Sequence, residues 1–100
     1  MSKKSKKKII ASGKLVLQLY VTGMTLRSME AIENIKQLCE AHMAGRYDLR
    51  IIDVYQQPGI AEKEQIIALP LMIRKYPLPE RRLIGDMSET TKILKTLGLE

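Results

Sequence analysis

The residues best suited to chemistry in this chain are its single cysteine, Cys39, and its single histidine, His42. A reactive thiol needs an exposed, electropositive surrounding, and a metal site needs further ligands close to this pair. Neither condition is met, because Cys39 falls on the apolar stripe of a predicted helix and nothing nearby supplies more ligands. We therefore expect Cys39 to be a buried packing residue and His42 a surface residue. The sequence predicts no metal and no cofactor.

The serines, glycines and carboxylates also lack the neighbours that catalysis requires. No serine has a histidine and an acid in a recognisable pattern, and the six glycines are scattered rather than gathered in a phosphate-binding loop. Asp53 interrupts an apolar strand, where a buried carboxylate would be a candidate acid or base. Its alternative role, which we favour, is to end the strand and accept hydrogen bonds from the following turn. We expect no enzymatic activity.

The charge of the chain is concentrated at one end. Its 100 residues include 17 Lys and Arg against 11 Asp and Glu, a formal net charge of +6, and residues 1–14 account for the whole excess. We predict a disordered basic tail over residues 1–13 and one domain over residues 14–100. The tail has no aromatic residues for base stacking, so specific nucleic-acid binding is the least favoured alternative. A second basic patch is expected around the hairpin described below, from Arg74, Lys75, Arg81 and Arg82.

Location follows from the same composition. A lone cysteine forms no internal disulfide, and residues 1–14 lack the apolar core of a secretory signal. No apolar run approaches the roughly 20 residues that span a membrane. We expect a cytoplasmic protein with no membrane partner.

Hydrophobic periodicity predicts seven elements that would position these residues. The first helix is predicted over residues 25–43, where apolar side chains from Met29 to Met43 recur every three or four residues after a capping Thr25. A second, short amphipathic helix is predicted over residues 60–68. Its inward side chains would be Ile60, Ile66 and Ile67, and Glu64 would be among the outward ones. The remaining predictions are strands over 15–21, 47–55, 71–74 and 81–84, and a last helix capped by Asp86 or Ser88.

This order, β-α-β-α-β-β-α, predicts an α/β fold with a four-stranded mixed sheet and three helices. The first two strands are parallel through a right-handed crossover, and the last two form an antiparallel hairpin. This is the thioredoxin arrangement. Its redox chemistry requires a Cys-x-x-Cys pair where the first strand meets the first helix. Residues 22–28, which occupy that corner here, contain no cysteine.

Several segments resemble the KaiB family of circadian clock proteins. The resemblance is colinear over residues 14–97 and rests mainly on residues 19–23 (LYVTG), 51–54 (IIDV), 66–70 (IIALP) and 81–88 (RRLIGDMS). It implies a non-enzymatic module that binds a KaiC-like ring ATPase, modulates its phosphorylation, and presents a surface to a KaiA-like or histidine-kinase partner. It also implies fold switching between the thioredoxin-like state and a ground state with a rearranged C-terminal half, and homo-oligomers (dimer or tetramer).

Residue roles are carried over from this resemblance position by position. Partner binding is assigned to Asp48 and Arg50 on the second strand, and to Glu62, Glu64 and Gln65 on the second helix. Pro70, at the place of the cis proline of thioredoxin-like folds, and Thr96 and Gly98, which replace a glycine and an aspartate of clock KaiB, are assigned to fold choice. Thr96 favours a helix more than glycine does, so we expect the thioredoxin-like state. The alternative function is a thioredoxin-like stress-response adaptor without a KaiC partner and without redox activity.

Overall fold

The computed structural model describes residues 14–99, so the predicted basic tail lies outside the described residues. The chain runs through four strands and three helices in the predicted order. Their bounds are β1 Leu15–Val21, α1 Leu26–Met43, β2 Tyr47–Asp53, α2 Ile60–Lys63, β3 Leu71–Tyr76, β4 Arg81–Ile84 and α3 Thr90–Leu97. No helix in this range combines the length and the apolar character needed to cross a bilayer.

The strands form one mixed sheet in the order β2-β1-β3-β4. Strand β1 is parallel to β2, in a register that pairs Leu15 with Tyr47, and antiparallel to β3. Strands β3 and β4 form the predicted antiparallel hairpin. In this order β2 and β4 are the two edge strands of the sheet.

The core has two parts, one on each side of the sheet. On the side that we call the helix face, Leu15, Leu17, Leu19 and Val21 of β1 pack against α1 and α3. On the opposite side, the loop face, Tyr20, Ile52 and Ile73 pack against residues of the segment 54–69. On this face Val16, Gln18 and Lys75 are only half-buried, and Asp48 and Arg50 are exposed, so the segment covers only part of it.

Helix α1 follows its predicted pattern closely. The Thr25 hydroxyl accepts a hydrogen bond from the Ser28 amide at 3.2 Å and caps the first turn. The residues four apart at Ala31, Ile35 and Cys39 are fully buried. Met29 departs from the prediction, because its side chain is 47% exposed and lies at the margin of the stripe.

The predicted second helix is too long. Helix α2 ends at Lys63 because Gln65 adopts a left-handed φ of 56°, and the chain then crosses the loop face in an irregular turn. As a result Ile67, predicted to point inward, is 91% exposed, whereas Ile66 does pack on the sheet. Glu64, predicted to point outward, is half-buried.

Two other boundaries differ for reasons of local hydrogen bonding. Strand β2 ends at Asp53 instead of residue 55, because the Asp53 carboxylate accepts from the Tyr55 amide and starts a short 3-10 turn at Val54–Gln56. The predicted caps of the last helix are wrong. Asp86 accepts from the Ser88 amide at 3.1 Å in a preceding turn, and Glu89 occupies the N-cap position.

Candidate partner-binding surface

The corner where a thioredoxin would carry its thiols is filled by hydroxyl groups. The Ser28 hydroxyl, fully buried, accepts from the Thr22 amide at 3.1 Å and from the Thr25 hydroxyl at 2.9 Å. Each polar group in this cluster finds its partner within the cluster, as buried polar groups generally must. The corner thus serves to fasten the end of β1 to the start of α1.

Cys39 and His42, the residues best suited to chemistry, lie where the sequence predicted. Cys39 is fully buried in α1, and burial, followed by the neighbouring Glu40 carboxylate, raises the pKa of its thiol to about 11. A thiol with that pKa is almost entirely protonated near neutral pH and is a poor nucleophile. His42 is exposed in the last turn of the same helix.

Asp53 acts as a turn residue, which is the role that we favoured. One oxygen of its carboxylate, Oδ1, accepts from the Gly23 amide at 3.1 Å and from the Tyr55 amide at 2.9 Å. Gly23 follows β1 and Tyr55 follows β2, so a single oxygen joins the ends of two parallel strands. Both lone-pair directions are engaged, and the arrangement explains a polar residue at this point of an apolar strand.

Asp48 and Arg50 lie on the outer edge of the sheet. Both are exposed on β2, where they are in register with Val16 and Gln18 of β1. Residues two apart on a strand point to the same side, so both share the loop face with Ile52. They stand beyond the part of that face which the 54–69 segment covers.

The other three predicted partner-binding residues lie on the same face, in and after α2. Glu62 is exposed in the first turn of α2, and Gln65 is exposed just beyond the helix. Glu64 is held by Lys75, whose Nζ lies 3.4 Å from its Oε1. The structure therefore brings all five predicted residues to one side of the sheet, with Glu64 engaged in an ion pair within the chain.

Sequence reasoning missed the residue that holds this turn in place. Arg82 of β4 donates to the carbonyl oxygen of Glu64 at 2.6 Å and to that of Gln65 at 3.3 Å. Charge-assisted bonds of this kind are stronger than neutral ones, and here they stabilise a backbone with positive φ. Nothing in the local sequence of β4 signals this contact, since the partners are 17 and 18 residues apart.

The basic patch around the hairpin is smaller than the sequence predicted. Lys75 is engaged by Glu64 and also by Glu80, at 3.3 Å, and Arg82 by the two carbonyl groups. Arg74 points to the helix face and is buried. Arg81 and Arg82 are exposed, and Arg82 keeps its charge because its partners are neutral carbonyl groups. The exposed positive charge is therefore reduced to two adjacent arginines.

Buried Arg74 lies against two of the three residues that were assigned to fold choice, Thr96 and Gly98. Its guanidinium donates to the carbonyl oxygen of Thr96 at 3.0 Å and to that of Pro79 at 2.7 Å. Gly98 ends α3 with a φ of 79°, and a Cβ placed on it would lie 3.3 Å from Arg74 Nη1. Burial, with a further contribution from Arg81, lowers the pKa of Arg74.

Pro70 follows a cis peptide bond at the entry to β3, as predicted.

Exposed apolar side chains gather at one end of the sheet, where β1, β2 and β4 finish and β3 begins. They are Met24, Tyr55, Ile67 and Ile84. A cavity of about 340 Å³ beside the last two is lined in part by Gln65 and Arg82. No periodicity in the sequence points to this end, since the four segments that carry these side chains are distant along the chain.

Comparison with known proteins places these features in a family. The model of the KaiB domain matches residues 18–99. The circadian clock protein KaiB3 of Synechocystis sp. is 46% identical over 87 residues, which are 87% of this chain and 83% of that protein. The circadian clock oscillator protein KaiB of Synechococcus elongatus is 42% identical over 84 residues, 84% of this chain and 82% of that protein.

Solved structures confirm the predicted fold class. The N-terminal domain of Synechococcus elongatus SasA superposes with a TM-score of 0.72 at 20% identity, covering 100% of this chain and 93% of that one. Chloroplastic thioredoxin z superposes with a TM-score of 0.68 at 20% identity, covering 91% of this chain and 85% of that one. The architecture is therefore the thioredoxin-like one, and not the rearranged alternative.

Proposed function

This chain belongs to the KaiB family of circadian clock proteins, and from that membership we propose that it is a non-enzymatic protein-interaction module. Its partner is a KaiC-like ring ATPase, whose phosphorylation state it modulates in a clock or in clock-derived signalling. The observation that carries this proposal is the match to the family over nearly the whole described chain, at 46% identity to one relative. We place the protein in the cytoplasm, where its single thiol stays reduced.

The chemistry of the thioredoxin-like corner supports a role without catalysis. The hydroxyl groups of Thr25 and Ser28 are occupied by each other, and the Cys39 thiol is buried with a raised pKa. Disulfide reduction needs an accessible thiolate that attacks a sulfur. The purified protein should therefore fail to reduce insulin disulfides. Reduction at a rate near that of a thioredoxin would contradict the proposal.

The geometry of the loop face supports the choice of contact residues. Glu62 is exposed, and the adjoining turn at Glu64 and Gln65 is held by two hydrogen bonds from Arg82. A preformed turn loses little conformational freedom on binding. We assign the ATPase contact to these three residues, and the contact with a KaiA-like or histidine-kinase partner to Asp48 and Arg50.

The test is a pull-down of a KaiC-like ring ATPase with the full-length protein in the presence of ATP. Glu62→Lys should weaken capture about tenfold, because charge reversal at an exposed contact costs on the order of 1 kcal/mol. Glu33→Lys is the matched control, since Glu33 is exposed on α1 across the sheet. Its capture should equal that of the wild type.

The outcomes of this pull-down distinguish an interaction module for a KaiC-like ATPase from a stress-response adaptor without that partner. Binding of the ATPase by the wild type, lost in Glu62→Lys and kept in Glu33→Lys, supports the proposal and the assigned surface. Equal loss in both variants would contradict the assigned surface. Failure of the wild type to bind any KaiC-like ATPase would favour the stress-response adaptor.

A further inference from the structure

The cavity of about 340 Å³ beside β4 has the form of a small-molecule site. Because β4 is an edge strand, no further strand of residues 14–99 covers its outer side. The chain at 65–68 borders the cavity from the loop face, and Lys92 of α3 borders it from the helix face. The cavity is therefore built by three segments that are distant along the chain.

Most of the lining of this cavity is apolar. Leu71 is buried, Leu83 is half-buried, and Ile67 and Ile84 are 91% and 51% exposed. A ligand that covers the two isoleucines removes apolar surface from water, and this favours binding. At roughly 30 Å³ for each non-hydrogen atom, the volume that a water molecule takes in the liquid, the cavity has room for about ten such atoms.

The polar side chains of the lining are cationic or neutral. They are Arg82, Lys92 and Gln65, and no carboxylate belongs to the lining within the described part of the chain. Of the five N–H donors of a guanidinium, Arg82 uses two, for the carbonyl oxygens of the 64–65 turn. The other donors can serve a ligand without releasing the turn.

Lys92 can also turn to a ligand. Its Nζ lies 3.0 Å from Oε1 of Glu89, but both side chains are more than half exposed. An exposed ion pair of this kind contributes little free energy, so an anion in the cavity can replace it at small cost. The cavity thus combines an apolar wall with two cations at its polar side.

We propose that this cavity binds a small aliphatic carboxylate. The chain of the ligand lies against Ile67, Leu71 and Ile84, and its carboxylate lies between Arg82 and Lys92. A guanidinium donates charge-assisted hydrogen bonds to a carboxylate, often two in parallel. A chain of about eight carbon atoms fits the volume. This site goes beyond the proposed function, and its test contains no ATPase, so either proposal can fail alone.

The experiment is a titration of the isotopically labelled full-length protein with sodium octanoate, followed by two-dimensional NMR. The amides of Gln65, Ala68, Leu83 and Ile84 should shift with one common dissociation constant, about 0.1–1 mM for a ligand of this size. Octan-1-ol has the same chain without the charge and should bind at least about tenfold more weakly. Octylamine, a cation of the same length, should leave these amides unmoved.

One pair of variants tests the charge. Lys92→Glu should weaken octanoate binding about tenfold, because a carboxylate replaces an ammonium group in the lining. Lys95→Glu is the matched control. It changes the net charge by the same amount on the same helix, but Lys95 is outside the lining, so octanoate should bind as in the wild type.

A second pair tests the apolar wall. Ile67→Ala should weaken octanoate binding about threefold to tenfold, because methyl and methylene groups that the ligand would cover are removed. Leu78→Ala, in the link between β3 and β4, is the control and should bind normally. Ile67 and Leu78 are 91% and 72% exposed, so neither truncation removes a core contact.

Shifts confined to the cavity and weakened by both Lys92→Glu and Ile67→Ala support the proposal. No shift up to about 10 mM octanoate, binding of octan-1-ol as tight as that of octanoate, or wild-type affinity in both variants would each overturn it. Shifts spread over the whole chain and equal in all four variants would reveal only a general attraction of anions to a basic protein, and would overturn it as well.

Discussion

The guanidinium of Arg74 donates a hydrogen bond to the carbonyl oxygen of Thr96 across 3.0 Å, from the middle of the sheet to the last turn of α3. This carbonyl belongs to the end of a helix, where backbone acceptors have no partner within the helix. A second bond, from the other terminal nitrogen, Nη2, goes to the carbonyl oxygen of Pro79 at 2.7 Å. One buried cation thus satisfies two backbone acceptors from separate segments of the chain.

Replacing Arg74 by methionine should lower the free energy of unfolding by about 2–3 kcal/mol, because two carbonyl groups lose a charged donor. Urea denaturation followed by circular dichroism measures this. Arg81→Met is the control, since Arg81 is exposed, and should change stability by less than about 0.5 kcal/mol. Equal stability of the two variants would show that the Arg74 bonds contribute little.

Gly98→Ala should destabilise the protein more than Gly45→Ala. Both glycines have positive φ, 79° and 76°, so both substitutions carry a backbone penalty of about 1 kcal/mol. A Cβ at Gly45 meets nothing within 4 Å, whereas one at Gly98 meets Arg74 Nη1 at 3.3 Å. The contact should add about 0.5–1 kcal/mol. Urea denaturation measures the free energy of unfolding of both variants, and the difference between them gives the cost of the contact between the new Cβ and Arg74. Equal free energies would contradict the prediction.

Asp53→Ala should cost about 1–2 kcal/mol of stability, because the Gly23 and Tyr55 amides lose their shared acceptor. Asp53→Asn retains an oxygen at Oδ1 and should cost about half as much. Thermal unfolding of both variants, beside the exposed control Glu30→Ala, provides the comparison. An asparagine variant as unstable as the alanine variant would show that the charge matters more than the two hydrogen bonds.

Stability should fall as pH rises above about 9, and Cys39 should account for part of the fall. The thiol titrates near 9 in the unfolded chain and at about 11 in the folded one. Between these values the unfolded state binds fewer protons, which favours unfolding. The loss should reach about 2–3 kcal/mol by about pH 11.

Cys39→Ala should flatten this pH dependence from pH 9 upward. Tyr47→Phe is the matched variant. A hydrogen bond to Glu40, then burial, raises the pKa of Tyr47 to about 12, so its effect begins one unit higher, near pH 10. Urea denaturation at a series of pH values separates the two. An unchanged profile in Cys39→Ala would show that the thiol is not the responsible group.

The sequence predicted those features that depend on near neighbours. The stripe of α1, the Thr25 cap and the turn role of Asp53 all rest on residues within a few positions of one another. The end of α2 was missed because Gln65 is held in a left-handed conformation by Arg82, a contact across 17 residues. The hairpin cations were misjudged for the same reason. Their charges are visible in the sequence, but their partners are set by tertiary packing.

Arg82 holds the turn at residues 64 and 65 through two backbone carbonyl groups, 17 and 18 residues away along the chain. The shape of this turn therefore depends on a residue of β4 that is not among the assigned contact residues. Two relatives with the same side chains at positions 62, 64 and 65 would still present different contours if they differed at position 82. A substitution at position 82 should therefore change which partners this turn fits, with every proposed contact residue left unchanged.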